Sequence, residues 1–98
     1  MKNILLICSA GITSGFIVKE MQEATDEVFE NVKVWSAGVA DAREEVEKAD
    51  IVLLSPPAAY LKTTFVELVS EGVPVKAVPT DLYAKADGLK IVEFALED

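Results

Sequence analysis

The sequence predicts a single-domain α/β protein: a three-layer sandwich in which a four-stranded parallel sheet is flanked by helices. Short apolar segments alternate with longer amphipathic segments four times along the chain, and this alternation is typical of parallel strands joined by helical crossovers. Residues 51–54 are apolar at every position, as expected for a strand covered on both faces. Since 98 residues have room for one core, we expect one domain over residues 1–98 with strand order 2-1-3-4.

The first predicted unit is a strand over residues 2–7 followed by a helix over residues 14–27. The helix carries Phe16, Ile17, Met21 and Ala24 at helical spacing, so we expect these side chains to pack on the sheet. Asn31 is expected to close this helix.

Three further strand and helix units are predicted. The second has a short strand over residues 32–35, a turn at residues 36–38 and an acidic helix over residues 41–48. The third has the strand 51–54, which Ser55 and Pro56 end, and a helix over residues 58–70 that stops at Gly72. The fourth has a strand over residues 73–78 despite Pro74, a loop over residues 79–88 and a helix over residues 89–96.

Composition and charge exclude several classes of function. The net charge of −8 argues against nucleic-acid binding, which needs a basic surface. No apolar run is long enough to cross a bilayer, and the start of the chain lacks the pattern of a signal peptide. One cysteine and no histidine exclude an internal disulfide and leave little to bind a transition metal. We therefore expect a cytoplasmic protein without metal, cofactor or membrane insertion, with its acidic residues on solvated helix faces.

Cys8 is predicted to lie at the carboxyl end of the first strand, the edge where open α/β sheets bind ligands. Small residues follow it, so an anion can approach the backbone N–H groups of the turn and the positive end of the next helix. The same dipoles favour the thiolate, which indicates that Cys8 is a nucleophile. The predicted phosphate-binding loop consists of Ser9, Ala10, Gly11, Ile12, Thr13, Ser14 and Gly15.

Within this loop, Gly11 is expected to adopt the positive φ that a concave anion site uses. Thr13 and Ser14 add hydroxyl donors, and one of them is expected to cap the helix. The alternative interpretation is that Cys8 is a small packed residue at a strand end, in a binding module without catalysis.

The predicted fold resembles the architecture of low-molecular-weight phosphatases and flavodoxins. A cysteine phosphatase or arsenate reductase is therefore a further alternative. Low-molecular-weight phosphatases have an arginine six residues after the cysteine that clamps the phosphoryl oxygens, but this position is Ser14 here. The only arginine, Arg43, lies in the acidic helix. Asp81 is in the late segment where such phosphatases hold a general acid, although a role in bonding to local backbone is favoured.

Three elements of the chain resemble the lactose/cellobiose-type IIB component of the bacterial phosphotransferase system for sugar uptake. The Cys-Ser-Ala-Gly element at Cys8 is the specific one, and the likeness extends in order over essentially the whole chain. The supporting elements are Leu53-Leu54-Ser55-Pro56 with Tyr60, and Asp81-Leu82-Tyr83-Ala84-Lys85-Ala86-Asp87-Gly88.

The resemblance implies that Cys8 accepts a phosphoryl group from the phosphohistidine of a IIA protein. It further implies that Cys8 passes this group to a sugar held by the membrane-embedded IIC component, at the inner face of the membrane. By analogy, the sugar is expected to be a β-glucoside such as cellobiose or chitobiose. We expect the surface around Cys8 to be exposed and to dock both partners in turn, with Pro56, Tyr60 and Tyr83 as candidate contacts at its edge.

Overall fold

The sheet of the protein is parallel throughout and has the predicted strand order. The computed structural model describes residues 2–8, 11–29 and 31–97, with residues 11–14 described in their backbone. Within this part of the chain, the strands are β1 (Lys2–Cys8), β2 (Val32–Gly38), β3 (Ile51–Leu54) and β4 (Val75–Ala77). They are ordered β2-β1-β3-β4, and every neighbouring pair is parallel.

Helices cover both faces of the sheet, as the three-layer prediction requires. Alternate residues of β1 point to opposite faces, so Ile4 and Leu6 enter one core while Leu5 and Ile7 enter the other. The helices are α1 (Gly11–Glu27), α2 (Val39–Glu45), α3 (Lys62–Leu68), α4 (Thr80–Ala84) and α5 (Gly88–Leu96). The first core includes side chains from α1 and α5, and the second includes side chains from α2 and α3.

The first helix begins three residues earlier than predicted, at Gly11 instead of Ser14. Ile17 and Met21 are buried as expected, and Ala24 is half-buried, but the expectation for Phe16 is wrong because its side chain is 57% exposed. The buried side of α1 is formed by Ile17, Val18 and Met21. Phe16 is rotated about 100° around the helix axis from Ile17 and so lies outside this side. The helix ends at Glu27 as predicted, and Asn31 (φ 67°) lies in the turn that follows it.

The second strand is longer than predicted. It continues to Gly38, because β1 pairs with it residue by residue up to Cys8 opposite Gly38. The expected turn at residues 36–38 is therefore strand. The acidic helix starts at Val39, and its last turn, Val46–Lys48, is a 3-10 helix.

The third helix is divided and the fourth unit contains an additional helix. A 3-10 helix (Pro56–Leu61) precedes α3, which ends at Leu68 instead of residue 70. The fourth strand starts only after Pro74, which has no N–H for the ladder, although its carbonyl accepts from the N–H of Val52 at 3.0 Å. The expected loop over residues 79–88 contains α4, whose Leu82 and Tyr83 pack on the first core.

The last helix begins at Gly88, one residue earlier than predicted. A Cβ atom at Gly88 would lie 2.3 Å from the carbonyl carbon and oxygen of Glu20. The backbones of α5 and α1 therefore approach each other more closely than any side chain at this position allows. This contact fixes the start of α5 against the middle of α1. Both helices cover the face of the sheet on which the Cys8 side chain lies.

Candidate active site

Cys8 is the last residue of β1, at the carboxyl edge of the sheet. It lies beside the end of β3, because the N–H of Ser55 donates to the carbonyl oxygen of Ile7 at 3.0 Å. The order 2-1-3-4 makes this the switch point, from which the connections leave β1 and β3 in opposite directions. The prediction that Cys8 lies at the carboxyl end of the first strand is therefore confirmed, whereas ligand binding at this edge stays a prediction.

The side chain of Cys8 is buried, which contradicts the expectation of an exposed surface at the thiol. Only 3% of the residue is accessible. The reason is the alternation along β1: Cys8 shares the face of Ile4 and Leu6 and belongs to the same core cluster. Its sulfur lies 4.0 Å from the carbonyl oxygen of Leu6, at the limit for a bond that a thiol donates.

The predicted phosphate-binding loop is shorter than expected, since α1 already begins at Gly11. Ser9 and Ala10 lie outside the described residues, as do the side chains of Ile12, Thr13 and Ser14. The positive φ expected at Gly11 is wrong, because helical residues have negative φ. Gly15 belongs to the second turn, where N–H groups bond within the helix, whereas the N–H groups of the first turn lack such partners. The N-terminal end of a 17-residue helix thus follows Cys8 after two residues.

Tyr83 comes from a distant part of the chain and lies on α4. It is half-buried and packs against the core cluster that contains Cys8. Burial, together with the charge and hydrogen bond of Cys8, raises the pKa of Tyr83 to about 12, while the hydrogen bond of Ser55 opposes this shift.

The other residues predicted for the site edge lie further out. Tyr60 lies in the 3-10 helix after β3, with 77% of its surface exposed, and Pro56 begins that helix half-buried. Asp81 is exposed in the first turn of α4. Arg43 is exposed in the last turn of α2. Whether Pro56 and Tyr60 contact a partner stays a prediction.

Ser55 is not among the site residues predicted from the sequence, where it ends a strand and belongs to one supporting element of the resemblance. It is 1% exposed, although it is polar and follows a strand with no polar residue. The available signal was this polar residue at the ligand-binding edge of the sheet, next to the strand that ends in Cys8. Among the described residues, no three histidine, cysteine, aspartate or glutamate side chains are grouped to hold a metal.

Comparison with known proteins identifies the family of the chain. The family model of "PTS system, Lactose/Cellobiose specific IIB subunit" matches residues 3–94. The oligo-beta-mannoside-specific EIIB component of Bacillus subtilis (strain 168) is 34% identical, over 98% of this chain and 94% of the relative. The galactose-specific EIIB component of Lactococcus lactis subsp. cremoris (strain MG1363) is 28% identical, over 96% of this chain and 93% of the relative.

Solved structures support the same assignment at the level of the fold. The lactose-specific IIB domain of Streptococcus pneumoniae superposes with a TM-score of 0.81 at 17% identity, over 98% of each chain. The cellobiose-specific IIB protein of Borrelia burgdorferi gives a TM-score of 0.76 at 26% identity, over 97% of this chain and 88% of that chain.

The chain belongs to the lactose/cellobiose-type IIB components of the bacterial phosphotransferase system. Components of this type are phosphotransferases for sugar uptake and work with IIA and IIC partners. The family assignment agrees with the resemblance carried by the Cys-Ser-Ala-Gly element. Within the described ranges, no helix is both long and apolar enough to span a membrane.

Proposed function

We propose that this protein is a phosphoryl carrier, which accepts a phosphoryl group on Cys8 from a phosphohistidine of a IIA protein and delivers it to a sugar. The observation that carries the proposal is the position of Cys8. It ends an inner strand of a IIB fold, two residues separate it from the start of α1, and Tyr83 packs on the core cluster that contains it. The chain has no histidine, so Cys8 is the nucleophile best placed for this task.

The transfer consists of two displacements at phosphorus. In the first, the thiolate of Cys8 attacks, an S–P bond forms, and the P–N bond to the imidazole of IIA breaks. The electron pair stays on the imidazole nitrogen, which takes up a proton equivalent to the one that the thiol released. In the second, a sugar hydroxyl loses its proton and attacks, an O–P bond forms, and the S–P bond breaks to return the thiolate of Cys8.

The phosphoryl oxygens are proposed to bind backbone N–H groups between residues 9 and 14. The first turn of α1 supplies N–H groups without intrahelical partners together with the positive end of the helix dipole. Phosphoryl transfer depends mainly on alignment and on stabilisation of charge, and these backbone groups provide both. The hydroxyl groups of Thr13 and Ser14 are proposed as additional donors.

The partners follow from the carrier role. Phosphorylated IIA docks first, and IIC presents the sugar at the inner face of the membrane, so the protein is proposed to act in the cytoplasm without entering the bilayer. The first substrate to test is a β-glucoside such as cellobiose or chitobiose. Oligo-β-mannosides and galactosides are further candidates, because relatives are named for these sugars.

Transfer to sugar is tested with membranes that contain a IIC protein, a IIA protein charged from phosphoenolpyruvate, and radiolabelled phosphoryl groups. Label should reach the sugar only when wild-type protein is added, and Cys8→Ser should abolish transfer while retaining the thermal transition of the folded protein. Equal sugar phosphorylation with Cys8→Ser would exclude the carrier role of Cys8.

The phosphatase alternative predicts a different turnover. Its cysteine discharges repeatedly to water, and an arginine clamps the phosphoryl group, whereas Ser14 occupies that position here and Arg43 lies on α2. We expect negligible turnover of an aryl phosphate by the wild-type protein. Rapid hydrolysis that is lost in Asp81→Asn would favour the phosphatase.

A further inference from the structure

The register of the sheet places Ser55 next to Cys8 at the carboxyl edge. Ile7 of β1 pairs with Leu54 of β3, and the N–H of Ser55 donates to the carbonyl oxygen of Ile7 at 3.0 Å. This bond extends the parallel pairing by one step, so that Ser55 is the residue beside Cys8. Neighbouring strands lie about 4.8 Å apart, and short side chains on one face at the same level of two such strands reach each other.

The side chains of Ser55 and Cys8 share one face of the sheet. Leu53 of β3 enters the core cluster that contains Cys8, whereas Leu54 enters the other core. The backbone of Ser55 is still extended, with φ −62° and ψ 156°, so the alternation of the strand continues through it. Its side chain therefore lies on the face of Leu53 and of Cys8.

Both side chains are shielded from water. Ser55 is 1% exposed and Cys8 is 3% exposed. A buried hydroxyl costs free energy unless it is hydrogen-bonded, and among the described residues no buried side-chain nitrogen or oxygen lacks a hydrogen-bond partner. The strand β3 itself has only apolar side chains. Ser55 is thus the hydroxyl that this part of the chain brings to Cys8, in surroundings where electrostatic interactions are strong.

Ionisation changes what the sulfur of Cys8 requires from its neighbours. The sulfur lies 4.0 Å from the carbonyl oxygen of Leu6, a group that accepts hydrogen bonds and cannot donate them. Once the thiol loses its proton, the sulfur is an acceptor as well, and a buried negative charge needs donors. A serine hydroxyl rotates about its C–O bond and has one hydrogen to donate. Ser55 can therefore turn this hydrogen toward the sulfur when the thiolate forms.

We propose that the hydroxyl of Ser55 donates a hydrogen bond to the Cys8 sulfur once the thiol has ionised, and that this bond holds the thiolate ready to attack phosphorus. The inference rests on the proposed carrier function and adds to it a side-chain donor from the end of β3. The sulfur loses its negative charge when the S–P bond forms and regains it when that bond breaks, while Ser55 keeps its proton throughout. Backbone N–H groups bind the phosphoryl oxygens, whereas Ser55 acts on the attacking atom.

The first test is a titration of the Cys8 thiolate by its ultraviolet absorbance, using the difference between each variant and its Cys8→Ala counterpart. Ser55→Ala removes the donor and fits the same extended backbone, so the midpoint should rise by about one pH unit. Ser55→Thr retains a hydroxyl and should stay near the wild-type midpoint. Thr25→Val is the matched control, because it removes a buried hydroxyl at the far end of α1, and it should leave the midpoint unchanged.

The second test is the pH profile of phosphoryl transfer from phosphorylated IIA at saturating concentration. Ser55→Ala should shift the profile to higher pH by the same unit, so that its rate is about tenfold lower below both midpoints. The half-saturating concentration of IIA should stay nearly unchanged. Tyr83 packs on the same cluster from α4, but burial and the charge of Cys8 raise its pKa to about 12, above the range in which a thiol titrates.

Thermal unfolding of each variant, measured in parallel, separates these effects from loss of the fold. A folded Ser55→Ala with a wild-type midpoint, or an equal rise in Ser55→Thr, would overturn the role of the hydroxyl. Failure of the wild-type protein to accept phosphate would instead overturn the carrier function, and the titration would still decide whether Ser55 acts on the sulfur.

Discussion

Tyr83 reports on the candidate site through its own ionisation. Its pKa is raised to about 12 by burial and by the charge and hydrogen bonding of Cys8, whereas an unperturbed tyrosine titrates near 10. In Cys8→Ala both contributions of the sulfur are lost while burial remains, so the pKa of Tyr83 should fall part of the way toward its ordinary value. The measurement is tyrosinate absorbance against pH, with Tyr83→Phe as the blank. An unchanged titration in Cys8→Ala would contradict the contact.

The same shift contributes to the pH dependence of stability. Because the pKa of Tyr83 is higher in the folded state, its contribution to the free energy of unfolding is complete below about pH 10 and is lost as the pH rises toward about 12. Denaturant unfolding at a series of alkaline pH values should therefore show a smaller loss of stability in Tyr83→Phe than in the wild type. A parallel loss in both proteins would show that Tyr83 does not titrate differently on folding.

Gly88 and Gly15 form a matched pair for testing the contact between α1 and α5. A Cβ atom at Gly88 would meet the backbone of Glu20 at 2.3 Å, whereas one at Gly15 would meet nothing within 4 Å. Gly88→Ala should lower the free energy of unfolding by about 1–3 kcal/mol because a helix must shift. Gly15→Ala should raise it by about 0.5–1 kcal/mol, since alanine loses less entropy in a helix. Equal effects in denaturant unfolding would refute the close approach.

Among the elements, α5 is capped by a side chain from the neighbouring strand β4. The ammonium group of Lys76 donates to the carbonyl oxygens of Phe94 (3.0 Å), Ala95 (3.4 Å) and Glu97, and it lies 5.4 Å from the centre of the Phe94 ring. These carbonyls belong to the C-terminal end of α5, where a cation is favourable. The sheet edge and the last helix are thereby joined.

Replacement of Lys76 tests this cap. Lys76→Met keeps the aliphatic stem but removes the charge and the donors, so it should lower the free energy of unfolding by about 1–2 kcal/mol. Denaturant unfolding measures the loss, and Lys90→Met, an exposed lysine on α5, is the control. A loss for Lys76→Met no larger than for the control would contradict the cap.

The sequence predicts elements well where the pattern of side chains decides the conformation, and less well where pairing or packing decides it. The apolar run over residues 51–54 predicts a strand with the observed bounds of β3, Ile51–Leu54. Residues 36–38 have a composition typical of turns, yet they are strand because β1 extends beside them to Cys8. Helix α4 has five residues, too short for a periodic signal, and it is stabilised by Leu82 and Tyr83 packing on the core.

At the scale of the whole molecule, strand order determines what the site contains. Because β1 is central and ends at the switch point, the position of Cys8 could be predicted from the alternation of strands and helices alone. The burial of Cys8 and the packing of Tyr83 on the same core cluster could not, since they depend on how β3 and α4 are placed beside β1. A sequence motif predicts that Cys8 is a nucleophile, whereas the side chains that bury it come from distant segments.

The charge of the molecule is spread over its helices and not over the site. The acidic residues of α1 and α2 are exposed or half-buried, as the sequence predicts for solvated helix faces. Under the proposed carrier function, a phosphoryl group on the buried Cys8 of a molecule with a net charge of −8 has to be stabilised locally. The N-terminus of α1 is the group proposed for this purpose.

The most direct test of the carrier function is the intact mass of the protein after incubation with phosphorylated IIA. The wild-type protein should gain the mass of one phosphoryl group, and peptide mapping should place it on Cys8. Cys8→Ser should gain none, although it unfolds in a thermal transition like that of the wild type. A phosphoryl group on Cys8→Ser, or one mapped to another residue of the wild-type protein, would contradict the account.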